Sequence, residues 1–425
     1  MTQHIAIIGS GYAGLAAGVY LAAHGYPITL FEANRVLGGR ARAVYYQDQV
    51  LDNGQHICLG AYTNLLALIK QVGLEEADLF LRLPLELTLL PHFRVSLPRL
   101  PAPWHLLIGL WKAQGLSLSE RWALLTLMYR LKLSDGQLSK DQTVASWLSQ
   151  QGQSHHLISS FWTPLCLATL NTPLKEASAQ IFIYVLRDSL GKRGMDSDLL
   201  LPKVDLSALF PHAAASYIQQ QGGEIKIGRR IQSIQPSHGQ WQVDEEIFDQ
   251  AIIAVAPQQM TQFFLPTELK STSSRLAQWP YQAIATVYLQ YPSNISLPRP
   301  MQGIAQGVSQ WIFDRGQTHN QAGLIAVVIS SLHKKIEHDS LVQQIRQEFL
   351  QFFHITVPPI WYKVIIEKRA TFSAVVNMER PIQQTGIPGL WLAGDYTTCH
   401  YPATIEGAVQ SGKQVSQLIM EQKNG

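Results

Sequence analysis

The feature that most constrains this chain is a glycine-rich turn near its start, in HIAIIGSGYAGLAAGVYLAAHGYPITLFEA. An apolar run from Ile5 to Ile8 precedes the spacing GxGxxG, and a second apolar run ends in Glu32. This order predicts a buried strand, a tight turn, a helix over Leu15 to His24 and a second strand. The sequence therefore predicts an α/β protein that opens with a Rossmann-like βαβ unit.

The glycines of this turn, Gly9, Gly11 and Gly14, have separate predicted roles. The first permits the turn, the second lets a pyrophosphate approach the backbone, and the third lets the helix pack on the strand. The helix start would face the phosphates, and Glu32 would accept from both hydroxyls of an adenosine ribose. We interpret the unit as a dinucleotide site; the alternative is a glycine-rich turn in another α/β unit.

The stretch VLGGRAR, residues 36–42, distinguishes two dinucleotides. Its glycines, Gly38 and Gly39, leave backbone room for a flavin or ribityl chain, while Arg40 and Arg42 can neutralise a pyrophosphate. An NAD site needs no further phosphate-facing loop after the acid. The stretch favours FAD, and the alternative is a surface turn with two solvated arginines.

A second candidate cofactor segment lies near the C-terminus, in GLWLAGDYTTCHYPATIEGAVQSG. Leu390 to Ala393 predicts a buried strand and Gly394-Asp395 a turn. The Asp395 carboxylate could accept from a ribityl hydroxyl. A helix starting at Thr404, Ile405 and Glu406 would direct its positive end at negative charge on a reduced flavin.

The two segments together resemble the FAD-binding signature of the amine oxidase and carotenoid desaturase superfamily, with its Gly-Gly-Arg extension. LDNGQHICLGAYTNLLALI, FWTPLCLATLNTP with VLRDSL, and EKRATFSAVVNMERP extend the resemblance almost end to end to the squalene-associated FAD-dependent desaturases. Members of that family act as hydroxysqualene dehydroxylases in hopanoid and squalene synthesis. Tyr396, where a tryptophan is expected, and CHYPAT, where smaller residues are expected, leave pocket shape and redox tuning open.

The resemblance implies a set of FAD contacts. Backbone near Ile231 would meet the adenine, Asp395 the ribityl chain or pyrophosphate, and Thr404 to Glu406 the isoalloxazine edge. The FAD would be non-covalent, because the superfamily's thioether cysteine lies in a motif other than that of Cys399. The residues predicted to bind FAD are Gly9, Gly11, Tyr12, Ala13, Gly14, Glu32, Ala33, Gly38, Gly39, Arg40, Arg42, Gly54, Gln55, His56, Ile231, Gly394, Asp395, Thr404, Ile405 and Glu406.

The resemblance also implies two interleaved domains. Residues 1–85, 200–270 and 370–425 would form a discontinuous FAD-binding domain. Residues 86–199 and 271–369 would form an inserted α+β substrate domain.

The implied reaction is reductive. A hydride from N5 of the reduced flavin would reach an allylic carbon as the hydroxyl leaves as water, giving squalene. This requires an acid and a dry chamber. The sequence offers His56 or Asp188 as proton donor and Arg187 as orienter, within a segment from Phe161 to Leu190 predicted to be mostly helix. His56 could equally be a structural histidine, and Arg187 and Asp188 an ion pair on a helix face.

Two rival functions stay open at this point. An amine oxidase or a carotenoid desaturase of the same fold would run the flavin in the oxidising direction. A non-catalytic protein would bind prenyl lipids without FAD, as GDP-dissociation-inhibitor proteins do. The presence of Glu32, Arg40 and Asp395 argues for a retained flavin.

Residues 87–133 combine Leu, Trp and Tyr with six basic residues and the acid Glu120. This mixture is typical of a surface that contacts an anionic bilayer. The alternative is an apolar core of the substrate domain with solvated basic edges. We expect no spanning helix, since no stretch of about 20 apolar residues occurs.

Composition narrows partners and location. The three cysteines are far apart and fit a reducing cytoplasm, so we expect a cytoplasmic protein. If residues 87–133 contact a bilayer, the protein would be peripheral on the inner face of the cell membrane. A net charge of +3 without a basic tract argues against nucleic acid. No HExxH or CxxC spacing indicates a metal site. The expected partners are hydroxysqualene and, by resemblance, the synthases of the squalene pathway.

Overall fold

The computed structural model describes residues 3–101, 103–134, 136–190, 194–332 and 337–424. Within these ranges the strands are, in chain order, β1 (Ile5–Ile8), β2 (Ile28–Glu32), β3 (Ala43–Tyr46), β4 (Gln49–Asp52), β5 (Cys58–Leu59), β6 (Phe80–Leu83), β7 (Glu86–Leu90), β8 (Phe93–Ser96), β9 (Leu199–Pro202), β10 (Glu224–Ile227), β11 (Ile234–Ser237), β12 (Gln240–Val243), β13 (Glu246–Phe248), β14 (Gln250–Ile253), β15 (Tyr281–Gln290), β16 (Met301–Ile304), β17 (Trp311–Asp314), β18 (Leu324–Ile329), β19 (Trp361–Phe372) and β20 (Leu390–Leu392).

The helices of the same ranges are α1 (Tyr12–Ala23), α2 (Thr63–Gln71), α3 (Glu76–Leu79), α4 (Trp104–Trp111), α5 (Leu118–Leu133), α6 (Val144–Gln150), α7 (His155–Leu157), α8 (Thr163–Leu170), α9 (Ala179–Leu190), α10 (Leu206–Leu209), α11 (Pro211–Gln220), α12 (Pro257–Met260), α13 (Thr267–Ala277), α14 (Arg315–His319), α15 (His338–Phe353) and α16 (Ile405–Asn424).

A parallel sheet of five strands, in the order β10-β2-β1-β14-β20, forms the centre of one half of the molecule. Ile5 of β1 pairs with Ile28 of β2 and with Gln250 of β14. The central strands are apolar and buried along their whole length, as expected for a parallel sheet covered on both faces. Helices α1, α11 and α16 cover one face, and the small antiparallel sheet β11-β12-β13 with α13 packs on the other.

The predicted α/β class and the opening βαβ unit are confirmed. The strand over Ile5–Ile8 is as predicted, but α1 begins at Tyr12 rather than Leu15. The helix starts earlier because Gly11, in extended conformation, is its N-cap, so the glycine motif continues into the first helical turn. All five strands of the parallel sheet lie inside residues 1–85, 200–270 and 370–425. The domain boundaries themselves stay a prediction.

A second sheet of seven strands, in the order β19-β15-β18-β17-β16-β7-β8, forms the other half. Its neighbouring strands are antiparallel except β16 and β7. Side chains of this sheet share an apolar cluster with those of helices α5, α6, α8 and α9. The apolar core of this half therefore lies between the seven-stranded sheet and these helices.

The segment from Phe161 to Leu190 is less regular than predicted. It begins in a π-helical turn, Ile158–Trp162, continues as α8 and resumes as α9 only at Ala179. Asn171 ends α8 in a left-handed conformation with φ of 45°. The proline two residues later favours the break, because it cannot donate a helical hydrogen bond. In the described part of the chain, no helix is both long and apolar enough to cross a membrane.

Candidate flavin-binding and active site

The turn between β1 and α1 is built on close backbone contacts. Gly9 has a φ of +110°, and a Cβ on Gly14 would lie 2.0 Å from the Gly9 carbonyl oxygen. Gly14 is thus required where the helix meets the turn, as predicted, and it does not line the cavity described below. At Gly11 a Cβ would meet no atom within 4 Å, so the backbone there faces open space.

The loop after β2 lies directly against this turn. The Gly38 N–H donates to the Ser10 carbonyl at 2.9 Å, and Gly38 forms an isolated parallel bridge with Gly11. Gly39 has a φ of +64°, and a Cβ there would lie 3.1 Å from the Gly11 Cα. The GxGxxG turn and the Gly38-Gly39 loop, which were predicted to have separate roles, therefore form one continuous backbone surface.

Glu32 ends β2 with its carboxylate already engaged. One oxygen accepts from the N–H and hydroxyl of Ser10 at 2.9 and 2.6 Å. The other accepts from the Asn34 N–H and side-chain amide at 2.8 and 3.1 Å. A carboxylate has about four acceptor positions. A ribose could bind as predicted only by displacing the Ser10 hydroxyl or the Asn34 amide.

Arg40 and Asp395 form an ion pair, with Nη2 and Oδ2 2.6 Å apart. The Arg40 Nη1 also donates to the Ala370 carbonyl at 2.8 Å. The two groups lie together, and both line the cavity. The hypothesis that they hold separate portions of the cofactor stays a prediction. Arg42 donates to the Gly39 carbonyl and stabilises the loop as well as lining the cavity.

The start of α16 differs from the prediction at one residue. Thr404 and Ile405 line the cavity, but the Glu406 side chain is fully buried and does not. Its carboxylate accepts from the N–H of Asn64 and of Leu65, at 2.9 and 3.0 Å, at the start of α2. Burial raises the pKa of Glu406, and those N–H groups oppose the rise. The Glu406 carboxylate thus stabilises the start of α2. The predicted role of Thr404 to Glu406 depends on the positive end of α16 and stays a prediction.

A single cavity of about 810 Å³ unites the two halves of the molecule. At one end it is lined by the glycine turns and the C-terminal segment. At the other it is lined by apolar side chains of α4, α5, α8 and the seven-stranded sheet. The predicted residues that line it are Gly9, Gly11, Tyr12, Ala13, Glu32, Ala33, Gly38, Gly39, Arg40, Arg42, Gly54, Gln55, His56, Asp188, Ile231, Gly394, Asp395, Thr404 and Ile405.

His56 lines the cavity next to Gly54, which has a φ of +125°. The His56 Nδ1 lies 2.8 Å from the Gly54 carbonyl, to which it donates. Burial lowers the pKa of the imidazole. A neutral ring whose Nδ1 carries the proton presents an acceptor at Nε2. The role of His56 as proton donor or orienter therefore stays a prediction, and a neutral ring favours orientation.

Asp188 and Arg187 separate, although they are neighbours in α9. Asp188 lines the cavity, and so does Tyr401, whose phenol is close enough to be affected by the Asp188 charge. Burial raises the pKa of Tyr401, and the charge of Asp188 raises it further, so the phenol keeps its proton. Arg187 does not line the cavity and packs against Gly136, where a Cβ would lie 2.3 Å from its guanidinium. The cavity wall therefore gives no support to Arg187 as orienter of Asp188, and that role stays a prediction.

Residues 12–420 match the sequence pattern of the flavin-containing amine oxidoreductases. The chain belongs to the flavin-containing amine oxidoreductase family. The protein is accordingly a flavin-dependent oxidoreductase, as predicted.

The chain is also similar to individual curated proteins and to solved structures. Hydroxysqualene dehydroxylase of Zymomonas mobilis is 28% identical, with 97% of this chain and 98% of that protein covered. The 15-cis-phytoene desaturase of an Oncidium hybrid is 24% identical over 98% of this chain and 78% of that protein. An oxidoreductase structure from Methanosarcina mazei has a TM-score of 0.74 at 15% identity, covering 97% and 100% of the two chains. The predicted resemblance to hydroxysqualene dehydroxylases and the predicted fold are confirmed.

The residues at the polar end of the cavity fit the family's flavin. The open space at Gly11 admits a phosphate close to the backbone, and a Cβ at Gly39 would intrude on it. Sequence reasoning missed Arg229 and Arg230, which line the cavity beside Ile231 and add cations there. Two adjacent arginines before a short strand could have indicated a cationic site for the cofactor, but many surface loops have the same pattern.

Sequence reasoning also missed a buried network behind Gln55. The Arg315 Nη1 donates to the Asp52 carboxylate at 2.8 Å and to the Gln55 side-chain oxygen at 2.9 Å. No spacing links Arg315 to these residues, because they are about 260 positions apart in the chain.

Proposed function

We propose that the protein reductively removes the hydroxyl of hydroxysqualene to give squalene, with non-covalently bound FAD. The observation that carries the proposal is the continuity of the cavity from the dinucleotide loops into an apolar chamber. Full-length similarity to hydroxysqualene dehydroxylases supports the substrate. A chamber lined by leucine, phenylalanine and tryptophan side chains accommodates a long isoprenoid and excludes water.

The cofactor contacts follow from the cavity wall. The Gly11 and Gly39 backbone would receive the pyrophosphate, with Arg40 as a nearby cation and Glu32 at the adenosine ribose. The Cys399 Sγ lies 3.1 Å from the Arg380 guanidinium, and Cys399 is not among the described residues that line the cavity. This arrangement supports non-covalent binding. When bound and reduced, the flavin supplies the hydride.

The chain's own contribution is proton delivery in a dry site. Asp188, as a carboxylic acid, would protonate the departing hydroxyl so that it leaves as water. The Tyr401 phenol lines the same cavity and keeps its proton, since burial and the Asp188 charge raise its pKa. His56, neutral because burial lowers its pKa, adds no positive charge that would oppose a cationic carbon.

The test is product analysis. Purified flavin-loaded protein is reduced, mixed anaerobically with hydroxysqualene, and assayed for squalene by mass spectrometry. We expect Asp188→Asn to lower the rate about 100-fold or more, as loss of a general acid does. Tyr401→Phe should lower it less, because the carboxyl remains. Arg187→Gln is the matched control on the same helix and should keep the wild-type rate.

Other outcomes would identify a rival. Desaturation of 15-cis-phytoene with an added quinone, and no squalene from hydroxysqualene, would indicate a carotenoid desaturase. Oxidation of amines with oxygen uptake would indicate an amine oxidase. A colourless protein that takes up no FAD on reconstitution would indicate a prenyl-lipid-binding protein. Wild-type turnover by Asp188→Asn with flavin still bound would remove that residue from the mechanism.

A further inference from the structure

Helices α4 and α5 expose large apolar side chains that soluble proteins usually bury. On α4, Trp104 is 59% exposed, and on α5, Trp122 and Tyr129 are each 62% exposed. Leu118 and Leu133 at the two ends of α5 are also exposed. Apolar patches of this kind mark an interaction surface.

These side chains form one face. On α5 the exposed positions, Leu118, Trp122, Tyr129 and Leu133, follow one another at intervals of four, seven and four residues. This spacing places them on a single side of the helix. Exposed residues Trp104, Leu107 and Trp111 follow the same rule on α4.

An aromatic contact joins the two faces. The rings of Trp111 and Trp122 lie 5.7 Å apart between centroids, edge to face. The Arg121 Nη1 donates to the Trp111 carbonyl at 2.9 Å and fixes the helices further. The exposed residues of α4 and α5 therefore form one continuous surface, which we call the α4–α5 face.

The charges around the α4–α5 face have one sign. Five basic side chains lie between residues 99 and 133: Arg99, Lys112, Arg121, Arg130 and Lys132. The acid of this stretch, Glu120, is buried and accepts from Ser117, Ser154 and His156. In the part of the chain that the structure describes, none of the five basic groups makes an ion pair.

The opposite sides of the same helices line the cavity. Leu106 and Leu110 of α4, and Leu124 and Met128 of α5, are cavity-wall residues. Two helices thus separate the apolar chamber from the α4–α5 face, and both of their sides are apolar. A surface helix that only covers a core would carry polar side chains outward.

We propose that the α4–α5 face docks the protein on a bilayer containing anionic lipid. Tryptophan and tyrosine suit the interface between headgroups and acyl chains, and Lys and Arg suit anionic headgroups. A second copy of the chain fits less well, because two such faces in contact would bring like charges together. Docking on the bilayer is independent of the proposed function. That an apolar substrate would then enter the cavity between α4 and α5 rests on the proposed function.

Vesicle sedimentation tests the docking. Full-length flavin-loaded protein is mixed with vesicles of phosphatidylcholine alone or with equal phosphatidylglycerol. We expect binding to the anionic vesicles, weakened in about 1 M salt, where the Debye length is about 3 Å. The variant Trp104→Ser/Trp122→Ser/Tyr129→Ser should bind at least about tenfold more weakly. Lys112→Gln/Arg130→Gln/Lys132→Gln should lose about fivefold per charge.

The matched control is Phe264→Ser/Ile360→Ser, which removes two equally exposed apolar side chains outside the two helices. It should bind as the wild type does. Unfolding temperature and flavin content check that each variant is folded.

Three results would overturn the proposal. The first is no binding of the wild type to anionic vesicles. The second is equal binding by the wild type and the aromatic variant. The third is a dimer in sedimentation velocity that the aromatic variant dissociates, without vesicle binding, because a second copy would then cover the face. The vesicle readout needs no substrate, so failure of the proposed reaction leaves this test intact.

Discussion

Asp52 and Arg315 form an ion pair in the interior, with side chains 2% and 0% exposed. Asp52 also accepts from the Leu206 N–H at 2.8 Å, and the Tyr288 hydroxyl donates to the Asp52 carbonyl at 2.9 Å. Burial raises the pKa of Asp52, and the Arg315 charge opposes the rise. Arg315 also holds Gln55 at the cavity wall. The pair therefore links the hairpin β3-β4 to α14, which directly follows β17 of the seven-stranded sheet.

We predict that Asp52→Ala lowers the free energy of unfolding by about 3–5 kcal/mol, because it leaves a buried guanidinium without its counter-charge. Urea unfolding measures the change. The control is Glu379→Ala, which breaks an exposed pair with Arg275 and should cost less than about 1 kcal/mol. Equal costs for the two substitutions would show that burial does not govern the Asp52 pair.

At the scale of elements, the β1–turn–α1 unit separates two kinds of glycine. Gly14 is needed by the fold, because its Cα lies against the Gly9 carbonyl. Gly11 has a φ of −65°, which any residue adopts, and space beside it. Only the approach of a ligand gives Gly11 a reason to lack a side chain.

Gly11→Ala should therefore leave the unfolding temperature unchanged but weaken flavin binding by at least about tenfold, a loss of about 1.4 kcal/mol. Flavin absorbance per protein after reconstitution measures the binding. Gly14→Ala should lower stability as well, because its methyl group collides with backbone. Full flavin binding by Gly11→Ala would contradict the predicted pyrophosphate position.

At the scale of the whole molecule, the fold buries two histidines, His319 and His56. Burial, together with the nearby Arg315 charge, lowers the pKa of His319 to about 3. Burial lowers the pKa of His56 in the same direction. Each histidine is thus neutral in the folded protein at pH values where the unfolded chain carries a proton.

The protein should accordingly lose stability in mild acid. At pH values below about 6.5, the ordinary pKa of histidine, His319 is protonated in the unfolded chain but stays neutral in the folded protein. Stability should fall by up to about 1.4 kcal/mol per pH unit for this group as the pH drops toward 5. Urea unfolding at several pH values measures the slope. His319→Asn should flatten it, whereas His24→Asn, at an exposed helix end, should not.

The sequence by itself determined the elements that depend only on residues close together in the chain. The strand Ile5–Ile8, the glycine turn, Glu32 at the end of β2, and the strand, turn and helix near Asp395 depend on neighbours within a few residues. Apolar runs, glycine spacing and helix starts are readable at that range. The α/β class, the flavin family and the glycine-turn and C-terminal residues of the cavity wall could therefore be predicted.

The tertiary structure alone decided the remaining contacts. Arg40 meets Asp395, Glu406 meets the start of α2, and Arg315 meets Asp52 across separations of 355, 342 and 263 residues. Arg187 and Asp188 are adjacent in sequence, yet only the second lines the cavity, because successive residues on a helix point about 100° apart. Which charges become partners depends on how strands and helices pack, and no local pattern carries that information.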